Sequence, residues 1–204
     1  MTNELLIDQA TYLEAGIHIG TKIKTPGMKR YIFKIREDGL YLLDLNTIDQ
    51  KIRLAAKLLS EYESKDIVVT ASRIYAISAA TKFAEITNTK LMVGRVTPGV
   101  FTNPNREDYS EPMIMLLSDT RNERQAIKEA SKTSIPIIAL SDTDNWIKFV
   151  DLVVPCNNKG RRSLALMYFL LAREFLKAKG LIKSNEEFNY KISDFEAKVE
   201  IKAK

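Results

Sequence analysis

Between residues 67 and 154 the chain repeats one rhythm, a short apolar run followed by a longer stretch with apolar positions every three or four residues. The short runs are Ile67-Val68-Val69, Leu91-Met92-Val93, 113–117, 137–140 and Leu152-Val153-Val154. Each is bounded by turn-forming residues and is too short for a helix, which predicts a strand. Helical spacing covers 73–87, 121–132 and 160–179, with a short helical turn expected near Trp146. Strands that are apolar throughout and separated by helices predict a parallel sheet covered on both faces. Right-handed crossovers then give a doubly wound, three-layer α/β/α sandwich with a five-stranded parallel sheet.

Ahead of this core, Leu5–Leu13 reads as a helix stopped by Gly16. Tyr31–Ile35 and Leu40–Leu43 flank Asp38-Gly39, the signal of a β-hairpin placed at the margin of the sheet. A further helix carries Ile48, Ile52, Ala55, Ala56 and Leu59, with Asn46 or Thr47 as its cap. The loop 94–112 breaks the rhythm. It holds Gly94, Arg95, Pro98, Gly99, Pro104, Arg106 and Pro112, and a loop of that length is expected to be functional or disordered. Residues 181–204 hold five lysines and five acids and are expected to form a mobile tail, leaving 1–180 as one α/β domain that includes the hairpin.

Composition adds limits. With 204 residues, 45% hydrophobic and 28% charged, the chain reads as one ordinary soluble globule. A single cysteine excludes an internal disulfide framework and fits a reducing compartment. No apolar run approaches the ~18 residues of a membrane helix, and Met1-Thr2-Asn3-Glu4 lacks the order of a signal peptide. A cytoplasmic, soluble protein is expected, with no membrane partner. The net charge is +5, and its distribution matters more than its size. Residues 20–36 carry +6 with no acid and residues 159–179 carry +5, so the rest of the chain carries −6. Segregation of this kind is how a nucleic-acid footprint looks in sequence.

The fold class invites enzyme readings. Dinucleotide binding needs Gly-x-Gly-x-x-Gly after the first core strand, but Thr70-Ala71-Ser72-Arg73 has no glycine, and no phosphate-loop motif occurs elsewhere. Asp119, Asp142 and Asp144 follow the third and fourth core strands. They could hold Mg²⁺, or Asp119 and Asp142 could cap the helices that follow. His18, the only histidine, is either a general base or a hydrogen-bonded turn residue in Gly16-Ile17-His18-Ile19-Gly20. Cys156 is either a nucleophile or a packed thiol, and one Cys with one His cannot complete a zinc site without carboxylates. No catalytic residue, cofactor, metal or small-molecule substrate is expected.

The basic segments read differently. Pro155–Ser163 puts two asparagines, Lys159, Gly160, Arg161 and Arg162 between a strand and a long helix. Helix starts present N–H groups to phosphate, and arginine supplies a planar fork; the alternative is a solvated, well-capped helix start. Arg30 and Arg36 are interleaved with Tyr31 and Phe33, which are either stacking faces or hairpin core. Lys22, Lys24, Lys29, Arg30, Arg36, Arg95, Arg106, Asn158, Lys159, Arg161 and Arg162 are the candidate RNA-binding residues.

Leu13–Gly20, Met28-Lys29-x-Tyr31-Ile32, Asp38–Leu45, Gly94–Pro104, Ile135–Thr143 and Val150–Gly160 resemble, in this order, the small-subunit ribosomal protein S-two family, whose eukaryotic member is also called the laminin-receptor-like protein. The resemblance spans about residues 10–180. It implies a flavodoxin-like sandwich and a non-catalytic, structural role in the small ribosomal subunit. It also implies ribosomal RNA and neighbouring small-subunit proteins as partners, near the junction of head and body. The helical hairpin that bacterial members insert after the segment matching Thr102-Asn103-Pro104 is absent, and Pro155–Gly160 is similar to archaeal and eukaryotic members. With no long acidic tail, the likeness is to the archaeal type. Thr120 and Val96 depart from the family pattern, where a proline and an aromatic are usual.

Overall fold

The computed structural model describes residues 5–197. Helix α1 (Gln9–Ala15) leads through a 3-10 turn (Gly27–Tyr31) to an antiparallel hairpin of β1 (Ile32–Ile35) and β2 (Tyr41–Leu43), then to α2 (Leu45–Ser60). The predicted alternation follows as β3 (Ile67–Ala71), α3 (Ile74–Thr87), β4 (Lys90–Val93), β5 (Ile114–Leu117), α4 (Arg124–Lys132), β6 (Ile137–Ser141), β7 (Leu152–Pro155) and α5 (Arg161–Ala178). The five core strands are all parallel, in the order β4-β3-β5-β6-β7. The hairpin forms a separate two-stranded sheet.

Successive side chains on a strand point to opposite faces, and here each face has its own core. Ile67, Val69, Ile114, Leu116, Ile138 and Leu140 enter one; Val68, Met115, Leu117, Ile137 and Ala139 enter the other. The first layer is built by α2, α3 and α5, with α5 packed against both of the others. Phe83 of α3 meets Tyr168 and Phe175 of α5 at ring separations of 5.6 and 6.3 Å.

Among the described residues the second layer has one helix, α4. The chain must return from the edge strand β4 past β3 to β5, and here the crossover is the loop 94–112. Val96, Val100 and Phe101 are buried against Ala126, Ile127 and Ala130 of α4. Glu129 of α4 accepts the N–H groups of Gly99 (2.7 Å) and Phe101 (3.1 Å) and the Gln125 amide (2.6 Å). Burial opposes its charge, but these three donors outweigh burial and hold the carboxyl below its ordinary value. The loop 94–112 is therefore ordered, and its buried residues form a cover that takes the place of a crossover helix.

Several boundaries move for physical reasons. Helix α1 starts at Gln9 instead of Leu5, because Leu6 spends its N–H on Asp49 (2.7 Å) and its carbonyl on Arg173 (3.0 Å). Asp44 caps α2, accepting Thr47 N–H at 3.0 Å, so neither Asn46 nor Thr47 is the cap. The segment around Trp146 forms turns without a helix. In the segment expected to be a mobile tail, Phe188 and Phe195 are buried, and both rings meet Phe169 of α5, at 5.2 and 5.9 Å. The charge count overlooked these two aromatics, which lay the described part of the segment against the first layer; residues 198–204 lie outside the described residues. Phe195→Ala is expected to lower stability by about 3 kcal/mol and to speed amide exchange across 183–196, measured by chemical denaturation and hydrogen exchange. Exchange in that segment as fast in the parent as in the variant would refute the anchoring.

Candidate nucleic-acid interface

Because the five strands are parallel, the segments that follow them all leave the same, carboxyl edge of the sheet. That edge receives 72–73, the start of 94–112, 118–123, 142–145 and 156–160. The basic N-terminal loop is laid across it. Thr25 donates its N–H to Thr143 O (2.9 Å) and its hydroxyl to Asn145 O (2.8 Å); Thr21 N–H reaches Thr143 Oγ1 (2.9 Å). Asn157 N–H reaches back to Ile17 O at 2.8 Å. Two glycines allow this approach. A Cβ on Gly20 would lie 2.5 Å from Thr143 Cγ2 and 2.9 Å from the Tyr41 carbonyl, and one on Gly27 would lie 2.7 Å from Ile147. Two basic stretches that are remote in sequence thus meet at one edge.

Three acids of this edge, Asp119, Asp142 and Asp144, have carboxyls withdrawn from solvent and already met by cations. Asp119 takes Arg73 on one oxygen (Nη2 2.7 Å, Nε 2.8 Å) and Arg121 N–H and Asn145 Nδ2 on the other, each at 2.9 Å. Lys159 Nζ lies 3.1 Å from Asp142 and 2.8 Å from Asp144, and Arg121 also pairs with Asp144 at 3.1 Å. Burial pushes the Asp142 carboxyl up, against the pull of Lys159. Neither Asp119 nor Asp142 caps a helix: α4 begins beyond Glu123, and turns follow Asp142. Among the described residues no group of three or more His, Cys, Asp or Glu side chains is placed to hold a metal ion.

Doubly wound sheets bind phosphate at the switch point, here between β3 and β5. An internal carboxyl fills it. Glu123 accepts N–H groups from Ser72 and Ser118, both at 3.1 Å, and faces the hydroxyls of Thr70 (2.6 Å) and Ser72 (3.1 Å). The backbone donors that would cradle a phosphate are occupied, and the occupant is an acid. Cys156 is fully buried; burial, then the Asp142 carboxylate, push its thiol well up, away from nucleophilic character. His18 holds Leu43 N–H through its carbonyl at 2.8 Å. Burial, then Arg36, lower its ring pKa.

The candidate residues separate into groups. Lys22, Lys29 and Arg95 are exposed and have no ion-pair partner among the described residues. Lys24 stands over the Tyr41 ring at 4.9 Å and Arg30 over Tyr31 at 4.8 Å, both exposed. Tyr31 is core, whereas Phe33 is exposed. Arg36 pairs with Asp38 (3.0 Å), Arg106 with Asp108 (2.7 Å), Arg161 with Glu196 (3.4 Å) and Arg162 with Glu14 (3.6 Å). Lys159 is tied to the acids below it. Asn158 is not on the surface: it is fully buried, and its amide donates to Leu140 O at 3.2 Å. Buried asparagine in this loop shapes the edge from beneath. Arg73, Arg121 and Glu123 were missed because their roles depend on partners 46, 23 and 53 residues away in sequence.

The family profile described as Ribosomal protein S2 matches residues 12–106 and 104–178. The chain is similar to the small ribosomal subunit protein uS2 of Thermoplasma acidophilum, at 49% identity over 199 residues, covering 98% of this chain and 100% of the relative. Against the uS2 of Saccharolobus solfataricus identity is 47% over 196 residues, covering 96% and 85%. Against that of Methanococcus maripaludis it is 45% over 186 residues, covering 91% and 84%.

Burial pushes the Glu123 carboxyl up to about 8, against the hydrogen bond from Thr70, with Asp119 adding to the rise. A folded-state value above the ordinary 4.5 means that the folded protein holds an extra proton between about pH 4.5 and 8. Its contribution to stability is full below that window and is lost as pH rises through it. Urea midpoints are expected to fall across this range, and Glu123→Gln is expected to remove that fall while costing about 1–3 kcal/mol at low pH, since one N–H loses its acceptor. A parent midpoint that is flat or rises over the window would contradict the assignment.

Proposed function

The chain belongs to the ribosomal protein S2 family, and from that membership we propose that it is a non-enzymatic, structural constituent of the small ribosomal subunit that binds small-subunit ribosomal RNA through its carboxyl-edge loops. The observation that carries the reading is the convergence of basic segments on an edge whose acids are buried and neutralised. Arg73, Lys159 and Arg121 are consumed by Asp119, Asp142 and Asp144, so the outward charge of Lys22, Lys24, Lys29, Arg30 and Arg95 is left for phosphate. Arg36, Arg106, Arg161 and Arg162 form exposed, solvent-screened pairs whose worth is small; phosphate can take over the arginine in each. Lys159 and Asn158 orient the loop from below.

The proposed place in the particle is near the junction of head and body, among neighbouring small-subunit proteins, for one α/β domain over 1–180 onto which Phe188 and Phe195 fasten the segment that follows. The compartment is the cytoplasm, on the ribosome. The occupied switch point speaks against a nucleotide-dependent reading of the same sheet.

Binding of purified small-subunit RNA by the full chain is expected to weaken steeply with salt. Each phosphate neutralised contributes a log–log slope of about −0.7 to −0.9. The double variant Lys29→Ala with Arg30→Ala should lower affinity and flatten that slope by roughly 1–2 without changing the melting temperature. A salt-independent affinity, or a chain that stays at the top of a gradient while small subunits sediment, would be incompatible with the proposal.

A further inference from the structure

We propose that Trp146 is a stacking platform for one unpaired RNA base at the carboxyl edge. The inference rests on the RNA-interface reading and adds to it a ligand class, an unstacked nucleotide, and the residue that takes it.

Trp146 is the only tryptophan in the chain, and the residue is 61% exposed. Phe83, Tyr168, Phe175 and Phe195 are all buried, so the chain has abundant apolar volume in which an indole would be protected. Its position outside is enforced by its neighbours. Asn145 is fully buried: its Nδ2 donates to Asp119 at 2.9 Å, its N–H to Asp142 O at 3.1 Å, and its carbonyl accepts the Thr25 hydroxyl at 2.8 Å. On the other side Ile147 packs where a Gly27 Cβ would stand. With both flanking residues pinned, the indole is displayed from a fixed backbone, and little ordering is needed when a planar partner docks on it.

The chemistry around it selects the partner. The loop that Asn145 holds carries Lys22, Lys24, Lys29 and Arg30 and no acid. The neighbouring Asp144 is shared by Lys159 and Arg121, and Lys148 lies two residues on. A solvent-facing indole among cations suits a polyanion whose units carry flat π-faces. An unpaired nucleotide offers both; a duplex keeps its base faces stacked inside and offers only phosphates. An apolar protein surface would have to leave these cations without counter-charges.

Because the tryptophan is unique, its fluorescence reports on this position alone. The full chain is titrated with deproteinised small-subunit RNA, with an unstructured RNA oligonucleotide and with an RNA duplex of the same length. Ribosomal RNA and the single strand are expected to quench the indole and the duplex to leave it unchanged. Trp146→Ala should weaken ribosomal RNA binding about 5- to 100-fold, while Trp146→Phe restores most of the affinity. Salt-sensitive RNA binding with no quenching, and with Trp146→Ala binding as tightly as the parent, would overturn the platform and leave the RNA interface intact. A spectral shift seen only in assembled subunits, never with naked RNA, would assign the indole to a protein neighbour and likewise overturn it. Failure of the parent chain to bind ribosomal RNA at low salt would overturn the interface reading and, with it, this inference.

Discussion

A carboxylate taken out of water must be met by donors, and at the carboxyl edge that demand organises everything else. Asp119 is fully buried. It is met by Arg73 from the turn after β3, by Arg121 N–H from its own turn and by Asn145 from the turn after β6. The segments following three strands are thereby tied to one side chain. Asn145 passes the constraint on, because its carbonyl holds Thr25 and so seats the basic loop. The position of Trp146 is set by the same link. Removing one partner from such a network costs more than the bond itself, since the remaining groups stay buried and unpaired.

This arrangement also explains how one sheet can carry a large excess of positive charge at an edge. Parallel strands deliver all their following loops to one side, and repulsion among cations would loosen that side. Buried acids beneath the surface hold part of the cationic set, Arg73, Lys159 and Arg121, in fixed positions. The remaining cations stand over aromatic faces or in solvent, where screening limits their repulsion. The result is a basic surface on a stiff support, suited to a polyanion that is itself structured.

The same fold elsewhere uses its switch point to bind phosphate with backbone N–H groups. Here Glu123 takes those groups internally. Burial favours the protonated acid, which can still accept both N–H groups while turning its own proton toward a hydroxyl. The crossover loop 94–112 is treated in a similar way. Glu129 captures its Gly99 and Phe101 N–H groups, so a segment without a helix covers the second core. In both places a carboxyl from α4 or its start substitutes for a missing partner.

Strand number, parallel pairing, the hairpin and the layered architecture were legible in the order of residues, because short unbroken apolar runs, turn residues and a period near 3.6 are local features of the chain. Charge segregation and family likeness were legible for the same reason: both are written in contiguous segments such as 20–36 and 155–163. The tertiary structure alone decided what depends on distant partners. Asn158 went inside because Leu140 offers its carbonyl, Phe195 packed because α5 presents Phe169, and the basic loop found its seat because Gly20 leaves room for Thr143. Local pattern fixes which elements form, whereas the fate of a polar or aromatic side chain at an element's end is settled by donors, acceptors and apolar surface that only folding brings near.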